Sequence, residues 1–519
     1  MQKQAAAAPA VPVGAERTGA PVAEPLVNLA ALLSRWRQQA PDAVALVEPR
    51  RRRTVLTWSA LDQRVEEVAA GLTAQGLLAG HRLALLSGNS TAFVVAYFAA
   101  LRAGVVAVPL NPQSTSTEIA ALLADSGARV LLAEPGLLEH QPAEVTVLPL
   151  SEEGLAGIAR AGGTVSSPPD PETLAVLLYT AGTSGRPKAA MLTHRALLAH
   201  VEHVHRLGML DAESVVGGSL PLFHVFGLNA VLGSWARSGS RLVVLEGYGE
   251  DFVAVLRAEG VTTLPLAPPV LQRLLADPAS EQGLGVLESV VAGAAPLPEG
   301  LAAEFAARTG VRVDRGYGLT EAAPGVTLGL GDGATGQGYV GSPLPGVELR
   351  IGDDRDPSEP GEVAVRGDNL FSGYWPHGTG GPDEQGWFRT GDIGYLEDGG
   401  LYLVDRAREL VIVNGFNVYP AEVEQVILEL PDVAAVAVVG RPDPRTGEQV
   451  VAFVAGEPTS DPGAGAGPLA RRVEEHCADR LARFKRPTSV SVLPELPRGA
   501  TGKVRKGLLR EMLGTAEAR

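Results

Sequence analysis

Leu174–Lys188 reads LAVLLYTAGTSGRPK, and the reading of this stretch decides the rest. Leu174–Tyr179 is an apolar run of strand length and predicts a buried strand. A loop comes next, in which Thr183 and Ser184 stand between Gly182 and Gly185, with Pro187 and Lys188 close behind. Glycines let a backbone approach an anion and turn its N–H groups inward. Hydroxyls add neutral donors, and an ammonium supplies a point charge for phosphate oxygens. A loop leaving a sheet edge is a common ligand site in α/β proteins, so the segment predicts a nucleotide phosphate loop. It differs from G-x-x-x-x-G-K-[ST], because Lys188 follows Gly185 by three residues with Pro187 between. The plain alternative is a surface turn, since Gly, Ser, Thr and Pro are ordinary turn residues.

Composition narrows the field. With 519 residues the chain is too long for one core and predicts two or more domains. A hydrophobic share of 45% with 20% charged residues fits a globular protein, and a net charge of −15 argues against nucleic acid as a partner. The single cysteine, Cys477, excludes an internal disulfide and fits a reducing, cytoplasmic setting. It falls in a helical pattern, where an inert packed thiol is expected. No apolar run reaches the length of a membrane span. Residues 1–25, rich in Ala and Pro, read as a disordered tail and not as a signal peptide.

Periodicity alternates between helix and strand. Leu61, Val65, Val68, Ala69 and Leu72 fall at helical spacing, Arg82–Leu86 reads as a strand, Ala92–Arg102 as a helix and Val105–Leu110 as a strand. Val286–Ala292 and Leu301–Thr309 repeat the alternation. The pattern predicts an α/β fold with mostly parallel sheets covered by helices. GYLEDGGLYLVDR reads as strand, turn, strand and ends near Asp405–Arg408; beyond it come about 110 residues with strands of their own at Val433–Val439 and Gln449–Ala455. Residues 471–519 carry twelve Lys/Arg against six Asp/Glu. That local excess is either a solvated helix surface or a basic patch for a polyanion such as CoA.

Further short motifs occur in order: PLFHVFG at Pro221–Gly227, AGAAPLP at Ala292–Pro298, RGYGLTE at Arg315–Glu321, GWFRTGD at Gly386–Asp392, DRAR at Asp405–Arg408, NGFNVYPAEVE at Asn414–Glu424 and PRGATGKVRK at Pro497–Lys506. Together with the phosphate loop they resemble the superfamily of adenylate-forming enzymes, which comprises acyl-CoA synthetases, adenylation domains of peptide synthetases, and luciferases. The likeness to bacterial fatty-acyl-CoA ligases is strongest, and it runs from about Leu29 to Arg510. It implies a large N-terminal domain of several subdomains (26–404), a hinge (405–408) and a small mobile α+β lid (409–519).

The resemblance also implies roles. Thr180, Gly182, Thr183, Ser184, Gly185 and Lys188 would hold the triphosphate of ATP. Ala181 stands where relatives usually have Ser or Thr, a loss of one neutral donor worth about 1 kcal/mol. Gly316 and Tyr317 would lie along the adenine, Thr320 at the α-phosphate, and Glu321 would ligate Mg²⁺, which takes one or two protein carboxylates beside phosphates. Read alone, Thr320 could instead be a helix N-cap. Asp392 would accept the ribose hydroxyls with Arg406 nearby, and Lys503 would reach in from the lid during adenylation. Arg408 occupies the hinge pivot. Gly415 and Phe416 belong to the loop that swings in for thioester formation with CoA.

His224, Phe226, Gly227, Gly293, Ala294, Gly318 and Leu319 would line the acyl pocket. No acidic residue occurs between Gly217 and Leu245, so an amino-acid ammonium would be left unpaired there. The expectation is an AMP-forming acid–thiol ligase acting on a hydrophobic acid (fatty, aryl or polycyclic), of the kind that serves fatty acid metabolism. An adenylate former that loads a carrier protein, or leaves the thioester step to another protein, is the alternative. Assembly as a homodimer stays open.

Overall fold

The computed structural model describes residues 26–516 apart from 51–52, 139–143, 164, 166–167, 182–186, 296, 298–299, 331–337, 353–355, 360, 406–410, 419, 457–466, 498–503 and 505. Among the described residues two large sheets share one core. The first runs, in spatial order, Thr146–Pro149, Val130–Ala133, Arg82–Leu86, Val106–Leu110, Leu174–Ala181 and Pro187–Thr193. All neighbours are parallel except the last pair. The second has nine strands; its centre, from Arg312–Gly318 through Val215–Gly218 to Val44–Glu48, is parallel and its edges are antiparallel. Parallel strands buried on both faces read as unbroken apolar runs, which is how Leu83–Leu86 and Leu174–Leu178 appear.

Thr91–Arg102 lies between the sheets with all its residues buried, and a helix apolar all round belongs inside. One hydrophobic cluster joins Leu83, Leu85 and Ala107 of the first sheet to Leu46, Val216 and Leu242 of the second. The indoles of Trp58 and Trp235 stack in it, 5.1 Å apart and 19° from parallel. The expected elements match closely: the helical spacing of Leu61–Leu72 belongs to Trp58–Ala74, and Arg82–Leu86 and Leu301–Thr309 have the expected limits. The strand expected over Val286–Ala292 begins only at Ser289.

Four antiparallel strands, Glu348–Ile351, Gly361–Arg366, Phe388–Glu397 and Gly400–Asp405, form a third sheet. Strands after residue 410 form a separate sheet: Phe416–Val418, Val411–Val413, Gly447–Gly456 and Val433–Asp443 in order, with Ser489–Leu493 parallel to Gly447–Gly456. Helices Pro420–Ile427 and Gly467–Arg480 cover one face of it around Val423, Val473 and Cys477. Cys477 is free and buried, and burial pushes its thiol up to about 12, which fits the inert role expected. Three of the basic side chains here are held in ion pairs: Arg472 with Asp432, Arg480 with Glu429, and Lys506 with Glu424. No helix of the described residues is long and apolar enough to cross a membrane.

Candidate active site

The phosphate-loop motif spans a hairpin. Leu174–Ala181 pairs antiparallel with Pro187–Thr193, Thr180 opposite Lys188, and Thr180 Oγ1 donates to the Lys188 carbonyl at 3.4 Å. Gly182, Thr183, Ser184 and Gly185 lie outside the described residues, as do Arg406, Arg408 and Lys503.

A cavity of about 1200 Å³ opens beside the hairpin. Thr180, Lys188, Gly316, Tyr317, Gly318, Leu319, Thr320, Glu321 and Asp392 are on its wall, and so are His224, Phe226, Gly293, Ala294 and Phe416. Residues more than 200 positions apart thus meet in one place. Two expected members are not on the wall. Gly227 is turned toward Pro221, where an added Cβ would sit 2.2 Å from the carbonyl oxygen, so it serves the close turn and not the pocket surface. Gly415, at φ +81°, would bring a Cβ within 3.3 Å of Ala267 of the large domain; its neighbour Phe416 is the residue that reaches the cavity.

The wall is held by buried amides. Asn89 Nδ2 donates to the carbonyls of Leu220 and Leu245 at 2.8 and 2.9 Å, and its Oδ1 accepts from Leu222 N–H at 2.9 Å. This fixes the entry to Pro221–Gly227. Asn229 donates to Ala323 O at 2.7 Å, and Asn369 to Ala322 O and Gly325 O at 2.7 and 2.8 Å, bracing the segment after Thr320. Phe226–Val231 is a π-helical turn, an irregularity common at functional sites. Gly318 allows the backbone to close on itself: a Cβ there would lie 2.3 Å from Pro324 O.

Thr320 opens a short 3₁₀ turn, yet the N-cap position is Leu319 and no side chain caps it. The capping reading of Thr320 therefore falls. Asp392 lies inside the strand Phe388–Glu397, next to Gly391 at φ +77°. Pairing skips there, from Glu362↔Ile393 to Ala364↔Arg389. Such a bulge re-aims a side chain, and Asp392 faces Tyr317, whose hydroxyl donates to Oδ2 at 2.5 Å.

Glu321 accepts from Tyr374 Oη at 2.6 Å. Burial pushes the Glu321 carboxyl above its usual range, with Asp392 adding to the rise and Lys188 opposing it. The same Tyr374 ring carries the Lys188 ammonium 5.1 Å from its centroid. Tyr374 thus joins the two charged groups, and sequence reasoning missed it. The signal was the uncharged FSGYW run at Phe371–Trp375, which meets the sheet edge through one antiparallel bridge, Tyr374 opposite Ala190: Met191 N–H donates to Gly373 O and Trp375 N–H to Ala189 O.

From the smaller domain, Phe416 lies 6.1 Å from Phe223 with rings 3° apart, and 4.6 Å from Phe484. Lys485 bridges Glu422 of its own domain at 2.7 Å and Glu118 of the large domain at 3.3 Å. Burial alone would lower the Lys485 ammonium, but the two carboxylates outweigh it and hold it above its ordinary value.

The profile of the AMP-binding enzyme family matches residues 33–375, and that of the AMP-binding enzyme C-terminal domain matches 422–503. Feruloyl-CoA synthase of an Amycolatopsis species is 35% identical over 89% of this chain and 94% of that protein. The long-chain-fatty-acid–CoA ligase FadD13 of Mycobacterium tuberculosis is 32% identical over 93% and 98%. The solved amide bond synthetase McbA from Marinactinospora thermotolerans superposes with a TM-score of 0.82 at 30% identity, covering 93% of this chain and 99% of that one. Fold, cavity and likeness define an adenylate-forming enzyme of the AMP-forming acid–thiol ligase class. More particularly, the chain belongs to the AMP-binding enzyme family, with both its large and its C-terminal domains present.

Proposed function

We propose that the enzyme joins ATP to a hydrophobic carboxylic acid in the cytoplasm, releasing pyrophosphate, and passes the acyl group from the adenylate to CoA. The observation that carries this reading is the single cavity that brings Lys188, Thr320, Glu321 and Asp392 together with an acyl wall formed by Phe226, Gly293 and Leu319.

Two anions must meet, and charge must move onto the leaving pyrophosphate. Lys188, with the hydroxyls of the 180–184 loop, takes the terminal phosphates. Thr320 bonds the α-phosphate, Tyr317 lies along the adenine, and Asp392 accepts the ribose hydroxyls with Arg406. Lys503 brings the carboxylate and α-phosphate together, a task suited to a charge on a flexible stem. Glu321 fits a cation delivered with the triphosphate, being a carboxyl destabilised by burial with Lys188 as its nearby cation. No group of three ligating side chains occurs among the described residues, so phosphate oxygens would complete the shell. Magnesium, when bound, neutralises phosphate charge.

For the second step the lid turns about Arg408. Contacts of Phe416 with Phe223 and of Lys485 with Glu118 fit the thioester-forming arrangement, in which Gly415 and Phe416 stand beside the path of the CoA thiol. Closure first shields the adenylate from water, then admits the thiol.

Product analysis by mass spectrometry, with ATP, Mg²⁺ and fatty, aryl and polycyclic acids, tests this. Acyl-CoA appearing only when CoA is present is the expected result. Acyl-AMP accumulating despite CoA would move the acceptor to a carrier-protein thiol or another nucleophile.

A further inference from the structure

The wall of the cavity is not uniformly apolar beyond the charged groups already described. The cavity runs between helix His194–His205 and the segment Phe226–Ser238, and both His200 and Ser234 are on its wall. His200 is 1% exposed. Its Nδ1 accepts the Gly325 N–H at 3.2 Å, so the ring proton must sit on Nε2. That Nε2–H is buried without a partner among the described residues, and so is Ser234 Oγ. Burial pushes the His200 imidazole down to about 3, with His203 adding to the fall, so the ring is neutral and presents one N–H. A recess lined by His205 shares Val204, Leu210 and Ser234 with the main cavity, and His205 Nδ1 is a third atom without a partner.

Unpartnered buried atoms also occur away from the cavity, at His194 Nε2 for example. What sets His200 and Ser234 apart is that both line the cavity in which the acyl group is proposed above to lie, and their role in selection rests on that proposed reading. A buried donor left unmet carries the full penalty of lost hydration, and an alkyl or plain aryl terminus would leave it unmet.

We infer that the substrate is a hydrophobic acid bearing an oxygen (hydroxyl, carbonyl or ether) remote from its carboxylate, which accepts from His200 Nε2–H and bonds Ser234 Oγ. The two residues then select among acids while taking no part in the chemistry at the carboxylate. An all-hydrocarbon wall discriminates weakly among neighbouring chain lengths, whereas a wall built to hydrogen-bond one atom rejects the analogue lacking it.

Matched pairs of fatty, aryl and bicyclic acids, each with and without a terminal oxygen, test the inference. Among them are decanoate with 10-hydroxydecanoate and 3-phenylpropanoate with its 4-hydroxy derivative. The readout is acid-dependent pyrophosphate release, measured with and without CoA. For at least one pair the oxygenated acid should have kcat/KM higher by about tenfold or more. His200→Leu and Ser234→Ala should bring that ratio toward one by costing the oxygenated acid more than its plain partner, and His200→Gln, which keeps an N–H donor, should restore part of it. Release without discrimination in any pair, as ordered water at the polar end would give, overturns the inference and leaves the adenylating activity intact. Equal loss of both acids in Ser234→Ala and His200→Leu overturns it too, because a merely structural role would do that. Absence of release from every acid overturns the adenylation reading and this inference with it. Selective release that is never followed by acyl-CoA formation supports the polar end and removes only CoA.

Discussion

Tyr374 offers the sharpest check on how the charged groups cooperate. Tyr374→Phe deletes one hydroxyl and keeps the ring. The lost bond, 2.6 Å to Glu321 Oε1, joins a neutral donor to a carboxylate in a site where burial already disfavours the charge. Hydrogen bonds to charged groups contribute about 1.5–3 kcal/mol, which is about 10-fold to 150-fold in rate. The ring face toward Lys188, with the ammonium 5.1 Å from the centroid, survives in Phe and is lost in Tyr374→Leu. A cation over an aromatic ring adds about 0.5–2 kcal/mol, so Leu should be worse than Phe by a further 2-fold to 30-fold or so. The assay is ATP–pyrophosphate exchange at saturating acid, run in parallel on Glu321→Gln and on Glu321→Gln combined with Tyr374→Phe. Residues acting as one unit are not additive, so the double variant should be scarcely worse than Glu321→Gln. Tyr374→Phe with wild-type exchange would refute the reasoning, and so would a double variant whose losses simply multiply.

The remaining expectations concern the lid and the histidines. Lys503→Ala should suppress acyl-AMP formation and leave thioesterification of supplied acyl-AMP largely intact; equal loss of both halves would remove the lid-lysine assignment. Glu118→Gln keeps the cap that Glu118 gives its helix but weakens the ion pair to Lys485. At about 1–2 kcal/mol, between exposed and buried pairs, it should slow the CoA step about 5-fold to 30-fold relative to adenylation, and unchanged partitioning between the steps would count against the clamp. In acid, burial holds His200 near 3 and His194 near 4, below the ordinary 6.5. Below 6.5 the unfolded chain binds protons that the folded one does not, so stability is fully present above that pH and falls as pH drops toward 4. By pH 5 the two together should cost about 4 kcal/mol. The urea midpoint of the wild type should drop between pH 7 and 5, and His200→Gln should drop by less; parallel curves would place His200 in water in the folded state.

Where local chemistry settles conformation, the sequence was readable. An unbroken apolar run such as Leu83–Leu86 has few places to go but a parallel sheet flanked on both faces, and the Gly-Thr-Ser-Gly sequence with its lysine is a statement about anions before any partner is known. The same holds for Glu321 and Asp392, whose motifs name a carboxylate beside glycines. What could not be read is whatever depends on residues distant in the chain arriving together. Tyr374 is one aromatic among several until the backbone bonds of its neighbours Gly373 and Trp375 to Met191 and Ala189 bring its ring to Lys188 and its hydroxyl to Glu321. Thr320 had two readings that only the backbone at Leu319 could separate, and Asp392 owes its aim to a bulge that no local signal announces. The lid contacts belong to the same kind, because Lys485 gains its meaning from Glu118, 367 positions earlier.

The polar end of the cavity carries this contrast furthest. His200 stands on a helix with three other histidines, and in sequence a histidine on a helix face has nothing to distinguish it. Its role turns on one backbone N–H, that of Gly325, taking up Nδ1 and so forcing the proton onto Nε2. A substrate preference would then follow from a tautomer fixed on the helix side by the loop that Asn229 and Asn369 hold. The adenylating groups are shared machinery written into short motifs, because each must touch the same nucleotide. The acid's far end is met by residues that have no common ligand to hold a spacing around, which is why the reaction is legible in the chain and its substrate is legible only in the fold.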